Sequence, residues 1–269
     1  MKRLITGLIA LPLLLIFVQK SETFAFFCLI LGITATGLLE FYRMALPQRK
    51  CFGFVAAFAG SLLLPALLQD LVPNLVFERL PFSLCLTLLV LFSALFSLFR
   101  IRDIKQSAGE TGLILLGFLY LPLLMSYLVL LRDLDHGVKW IFLLLIIVMS
   151  GDTAAFYVGS TLGKRKLYPL VSPKKSVEGM IGGLAGSVIG TLLAGATFFP
   201  ELAIAGAVAT ALIVGLLGQL GDLFESLLKR SFGVKDSGII IPGHGGMLDR
   251  LDSVLFAAPP LYIYARYFF

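Results

Sequence analysis

Asp152, Asp222, Asp249 and Asp252 stand in or beside stretches of sequence that are otherwise apolar. A carboxylate in such surroundings must find a cation, a donor or water to offset its desolvation, which makes each one a candidate for function. Gly221-Asp222-Leu-Phe-Glu225-Ser226-Leu-Leu-Lys229-Arg230 reads as one helix in which Asp222, Ser226 and Lys229 share a face at i, i+4 and i+7. A carboxylate, a hydroxyl and an ammonium then point the same way, while Glu225 reads as an ordinary helix-end residue. Asp249-Arg250-Leu251-Asp252 places two carboxylates at i and i+3 at the start of the last helix. Such a pair suits a hard cation such as Mg²⁺, which binds through one or two carboxylates and completes its shell with water and substrate phosphate. Helix capping accounts for one of these acids but not for Asp152 and Asp222 as well.

Two further stretches carry groups that hold anions. Ser172-Pro-Lys174-Lys175-Ser176 leads into Glu178-Gly179 and a glycine-rich helix start at Gly182-Gly183, so hydroxyls, ammonium groups and a helix N-terminus converge on one place. The bland alternative is that Lys164, Arg165, Lys166, Lys174 and Lys175 only orient the chain. Lys235-Asp236-Ser237-Gly238 is followed by Pro242-Gly243-His244-Gly245-Gly246, a loop whose glycines let backbone N–H groups approach a ligand closely. It lacks the P-loop pattern, so a Walker-type nucleotide fold is unsupported. His244, between glycines, reads either as a turn residue or as a catalytic group.

These residues need a frame. Of the 269 residues 58% are hydrophobic and only 14% charged, and the mean hydropathy is +0.97. That composition excludes a soluble globular domain, and the expected class is an all-α, polytopic integral membrane protein. About 20 helical residues cross a hydrocarbon core of about 30 Å. About nine runs fit, near residues 4–18, 23–39, 51–68, 81–99, 111–131, 140–162, 180–199, 202–228 and 251–267. The first is expected to be a retained helix, since no small-residue cleavage site follows it. Cys28, Cys51 and Cys85 lie in or beside these runs with neither disulfide nor zinc spacing, and read as packing residues.

With the N-terminus inside, only Lys20, Arg79, Arg132, Lys139 and Arg266 of the 22 basic residues fall on the outer side. The positive-inside rule therefore favours N-in, C-out and a site facing the cytoplasm from the cell membrane. The net charge of +6 reflects the same asymmetry, facing anionic membrane lipids, and gives no support for nucleic-acid binding. Residues 1–139 read as a transmembrane scaffold, with Glu40 and Tyr42-Arg43 as interfacial anchors, and residues 140–269 as the catalytic region.

The stretch Ser226 to Asp252, SLLKRSFGVKDSGIIIPGHGGMLDRLD, resembles the signature of the phosphatidate cytidylyltransferases, or CDP-diacylglycerol synthases. Ser172-Pro-Lys-Lys-Ser-Val-Glu-Gly179 and Asp152-Thr-Ala-Ala155 are similar to the same family, so the resemblance spans roughly residues 150–255, with the run Ile239 to Ile241 more apolar than expected. It implies condensation of CTP with phosphatidic acid to CDP-diacylglycerol and pyrophosphate, with Mg²⁺ and room for a second cation; a homodimer is compatible with the family. Asp222 and Asp249 are the expected metal ligands, with Asp252 and Asp236 as further candidates beside them. Lys229, Arg230, Lys235 and Arg250 are expected to neutralise triphosphate and pyrophosphate. His244 is expected to donate a hydrogen bond to phosphate rather than abstract a proton. Asp152, Ser172, Lys174, Lys175, Ser176, Glu178, Ser226, Gly245 and Gly246 are expected to contact substrate, and Lys174 and Lys175 suit the phosphate of either one.

Two other classes fit less well. An ion transporter spreads polar residues across the bilayer, whereas here they gather at one edge. The long aspartate-rich motif of CDP-alcohol phosphotransferases is absent, and a dolichol kinase-like CTP enzyme is set aside only by the signature.

Overall fold

In lipid the backbone can satisfy its N–H and C=O groups only within a segment, so apolar runs become helices. The computed structural model describes residues 12–48, 68, 82–100, 103–238, 240 and 245–269. Residues 12–20 are helical, followed by α1 (Thr23–Ala45), α2 (Phe82–Phe99), α3 (Ile104–Asp133), α4 (Gly137–Leu162), α5 (Val177–Thr197), α6 (Ile204–Ser231) and α7 (Leu248–Tyr267). The expected run at 51–68 lies outside the described residues apart from Leu68. Among the described residues five helices, α1, α3, α4, α5 and α6, are long and apolar enough to cross a membrane. The chain is thus a multi-pass membrane protein. Leu88, Leu91 and Leu95 on α2, Ile189 and Leu193 on α5 and Ile213 on α6 point outward, where lipid is as good a solvent as the core.

Two local features differ from the sequence expectation. α3 begins at Ile104 rather than near residue 111, because Asp103 caps it by accepting from the Lys105 N–H at 2.9 Å. At 30 residues it is about 45 Å long and outruns the hydrocarbon core. The basic loop after α4 is not irregular: β1 (Lys166–Tyr168) and β2 (Ser172–Ser176) form an antiparallel hairpin, with Lys166 opposite Ser176 and Tyr168 opposite Ser172. The all-α expectation holds for the rest.

α4 to α7 form a bundle in which α4 lies closest to α5, and α3 leans on α7 and α4 on one side and on α1 and α2 on the other. The α4–α5 contact is close because small residues face each other: a Cβ on Gly186 would sit 2.7 Å from the Ser150 carbonyl oxygen. Across that seam Ser187 Oγ donates to the Ile147 carbonyl at 2.9 Å, a hydrogen bond with no water to compete for it. Gly182 and Gly183, expected to open the helix beside a phosphate, instead pack against Val158 and Ala155 within it. At the opposite end of the bundle Trp140 packs edge-on to Phe199 and Phe269 at 4.7 and 4.9 Å, fastening α4 to the α5–α6 turn and the end of α7.

Candidate active site

The C-terminal half of α4, the hairpin, the start of α5 and α6 surround a cavity of about 590 Å³, within the range of small-molecule sites. Its lining mixes two kinds of group: Asp152, Lys174, Lys175 and Asp222 are charged, while Ala155, Phe156 and Met180 are apolar. Lys175 Nζ is 2.6 Å from Asp222 Oδ2, so hairpin and α6 are tied across the cavity. Ser226, one turn further along α6, lies 3.4 Å from Asp222 Oδ1, a long hydrogen bond that leaves its hydroxyl able to turn elsewhere. The expected face of Asp222, Ser226 and Lys229 is therefore real.

A second cluster lies where α6 ends and α7 begins. Lys229 Nζ is 2.7 Å from Asp249 Oδ1 and pairs also with Glu225, whose side chain is fully buried. Asp249 Oδ2 accepts from the backbone N–H groups of Ser237 and Gly246 at 3.0 and 2.8 Å. One aspartate thus closes both ends of the loop that joins α6 to α7. Gly245 has φ +84°, a left-handed conformation that L side chains rarely adopt, and a Cβ there would lie 2.7 Å from Asp249 Oδ2. Gly246 is packed against Ser237 and Glu40. Of the glycines expected to bring backbone N–H groups to a substrate, Gly246 brings its own to the Asp249 carboxylate.

Asp252 connects the clusters. It lies within electrostatic range of Asp222, Asp152 and Lys229, and the three aspartates come from three helices. Among the described residues no three acidic, histidine or cysteine side chains form a ready-made metal cage. Mg²⁺ needs none, since one or two carboxylates suffice. A carboxylate offers about four lone-pair sites. Asp249 gives up three to Lys229, Ser237 and Gly246, and Asp222 gives one to Lys175 and one, weakly, to Ser226. Both keep capacity for a cation.

The other expected residues divide. Ser176 is buried and caps α5 by accepting from the Gly179 N–H at 3.1 Å, which places it in the cavity wall as a structural hydroxyl. Glu178 accepts from the backbone N–H groups of Lys164 and Arg165 and so clamps the hairpin's entrance. Ser172 is half-buried at the start of β2. Arg230 donates to the Val234 carbonyl at 3.1 Å, fixing the turn after α6. Lys235, Asp236 and Arg250 are exposed on the loop side. His244 lies outside the described residues.

Two acids were misjudged from sequence. Glu225 is no helix-end residue but the buried partner of Lys229. Glu40, expected to anchor α1 at the interface, is 1% exposed, and its Oε2 accepts from Ser237 Oγ and the Leu248 N–H. A carboxylate within an apolar run was the available signal, as for Asp152, but the adjoining Tyr42-Arg43 made it look interfacial.

Residues 1–268 match the sequence profile of the cytidylyltransferase family. The chain is 35% identical over 268 residues to the phosphatidate cytidylyltransferase of Staphylococcus haemolyticus, covering 97% of each protein. It is 45% identical over 155 residues to that of Bacillus subtilis, 57% of each, and 45% over 129 residues to that of Staphylococcus saprophyticus, 48% of this chain and 50% of the relative. In these two cases the match thus spans about half of the relative's length.

Proposed function

The chain belongs to the cytidylyltransferase family, and on that premise we propose that it transfers the cytidylyl group of CTP to phosphatidic acid, giving CDP-diacylglycerol and pyrophosphate. The observation that carries this reading is the mixed lining of the cavity, where Lys174, Lys175, Asp152 and Asp222 share one space with Phe156 and Met180. Such a lining suits a phosphate together with the start of an acyl chain.

In this reaction a phosphate oxygen of phosphatidic acid attacks the α-phosphorus of CTP and the bond to the β-phosphate breaks, with pyrophosphate leaving. The attacking phosphate is already ionised at neutral pH, so alignment and charge neutralisation supply the catalysis. Lys174 and Lys175 hold a substrate phosphate, while Lys229, Lys235 and Arg250 meet the charge that builds on the departing pyrophosphate. Arg230 acts through the turn it holds, and His244 donates to phosphate. Asp222 and Asp249 hold Mg²⁺, with Asp252 and Asp236 beside them. When bound, the ion withdraws charge from the phosphates and orients them. The site faces the cytoplasm, where CTP is found.

The test is to incubate the purified protein in lipid nanodiscs with Mg²⁺ and CTP labelled at the α-phosphate, with and without phosphatidic acid. Label entering the lipid together with phosphatidate-dependent pyrophosphate release supports the reading. Pyrophosphate release independent of phosphatidic acid overturns it, and so does transfer of a γ-phosphate label, which marks a CTP-dependent lipid kinase.

A further inference from the structure

Helix α1 belongs to the part of the chain that the sequence assigns to scaffold, yet its inner end is built into the loop between α6 and α7. Phe41 packs edge-on to Phe232 at 6.1 Å, just past the end of α6. Beside it the carboxylate of Glu40 is buried, and one oxygen, Oε2, accepts from Ser237 Oγ at 3.1 Å and from the Leu248 N–H at 2.9 Å. Ser237 Oγ in turn accepts from the Asp249 N–H at 3.2 Å, while Asp249 Oδ2 accepts from the Ser237 and Gly246 N–H groups. Glu40 thus lies behind Asp249, one hydroxyl away. Any side chain at Gly238 or Gly246 would strike its carboxylate. The two glycines leave room for Glu40 and for nothing larger than themselves.

We propose that Glu40 is a positioning residue of the active site: through Ser237 and the Leu248 N–H it fixes the start of α7 and the carboxylate of Asp249 from behind. The inference rests on the activity proposed above. Buried hydrogen bonds to a charged group are worth more than neutral ones, and leaving the donors unmet adds to the loss. Both bonds go to a single oxygen. An amide oxygen can accept the same two bonds, though more weakly, whereas a role for the charge itself requires the acid.

The experiment compares Glu40→Met, Glu40→Gln and Ser237→Ala with the wild type in nanodiscs, reading kcat, KM for CTP, and amide hydrogen exchange at residues 245–249. Loss of the two bonds in Glu40→Met is expected to lower kcat by about tenfold or more, with KM for CTP little changed and exchange at Gly246 and Leu248 faster. Glu40→Gln is expected to recover most of kcat and slow exchange again. The effects of Glu40→Met and Ser237→Ala are expected not to multiply in the double variant, because both break one chain of contacts. A Glu40→Met protein with wild-type kcat and exchange overturns the proposal, and so does a Glu40→Gln protein as inactive as Glu40→Met. If Glu40→Met does not fold, Ser237→Ala carries the same test, since slower turnover and faster exchange at Leu248 are expected there too and their absence refutes it. A wild-type protein without cytidylyltransferase activity defeats the proposed function, while the exchange measurement still decides whether Glu40 holds the loop.

Discussion

Lys229 Nζ lies 2.7 Å from Asp249 Oδ1 and pairs at the same time with Glu225, so one ammonium group compensates two acids on two helices. Its side chain is 12% exposed and theirs 0% and 8%. Removing one member of a buried ion pair costs roughly 3–5 kcal/mol, because the partner stays buried and uncompensated. Lys229→Met is therefore expected to lose that much stability, seen as a large drop in thermal midpoint in detergent, along with turnover. Adding Glu225→Gln to Lys229→Met should restore part of the stability and none of the turnover. An unchanged midpoint for Lys229→Met contradicts the cluster as described.

Asp222 presents the opposite balance. Its pair with Lys175 is about a third exposed to the cavity, and such pairs contribute about 0–1 kcal/mol. Asp222→Asn should thus fold with a nearly unchanged midpoint, yet lose turnover by about 100-fold or more, the scale of removing one preorganised electrostatic contact. Asp249→Asn should lose both, since Asp249 also holds the loop. A Mg²⁺ titration of turnover separates the two roles: Asp222→Asn needs more Mg²⁺ if Asp222 binds the ion, and an Asp222→Asn enzyme with normal Mg²⁺ dependence refutes that assignment.

Gly245→Ala tests the loop without touching a charge. At φ +84° a side chain is strained, and the added methyl also meets Asp249 Oδ2. Strain of this kind costs about 1–3 kcal/mol. The expected result is a modestly destabilised protein with turnover reduced far beyond what the stability loss explains, as Asp249 is pushed aside. Turnover at wild-type level would mean that the loop is free to rearrange around the substrate.

The sequence carried much of this site and little of its wiring. Periodicity alone puts Asp222, Ser226 and Lys229 on one face, and helix geometry is local, so that reading survives in the structure. What joins the end of α6 to α1 is not local: Ser237 meets Glu40 across 197 residues of sequence, and no spacing rule reaches that far. The glycines show the same limit. A glycine-rich loop is visible in sequence, but whether its N–H groups serve a ligand or the protein's own Asp249 depends on where α7 starts. Glu178 and Ser176 were readable as polar groups near cations, yet the backbone N–H groups of Lys164 and Arg165 meet Glu178, and that of Gly179 meets Ser176.

The proposed placement of the site on the cytoplasmic side rests on charge and can be tested directly. Lys174, on the hairpin, and Glu201, in the turn after α5, lie at opposite ends of the same helix. The hairpin end carries Lys164, Arg165, Lys166, Lys174 and Lys175, whereas the far end carries Arg132, Arg266 and Lys139, the last paired with Glu201 at 2.7 Å. Basic residues in short loops stay on the cytoplasmic side, so the two ends must face different compartments. With Cys28, Cys51 and Cys85 replaced by serine or alanine, single cysteines at these positions report the orientation. In right-side-out vesicles an impermeant maleimide should label Glu201→Cys and leave Lys174→Cys unlabelled until the membrane is opened. The reverse pattern would put the cavity outside, away from CTP, and the proposed reaction could not proceed as described.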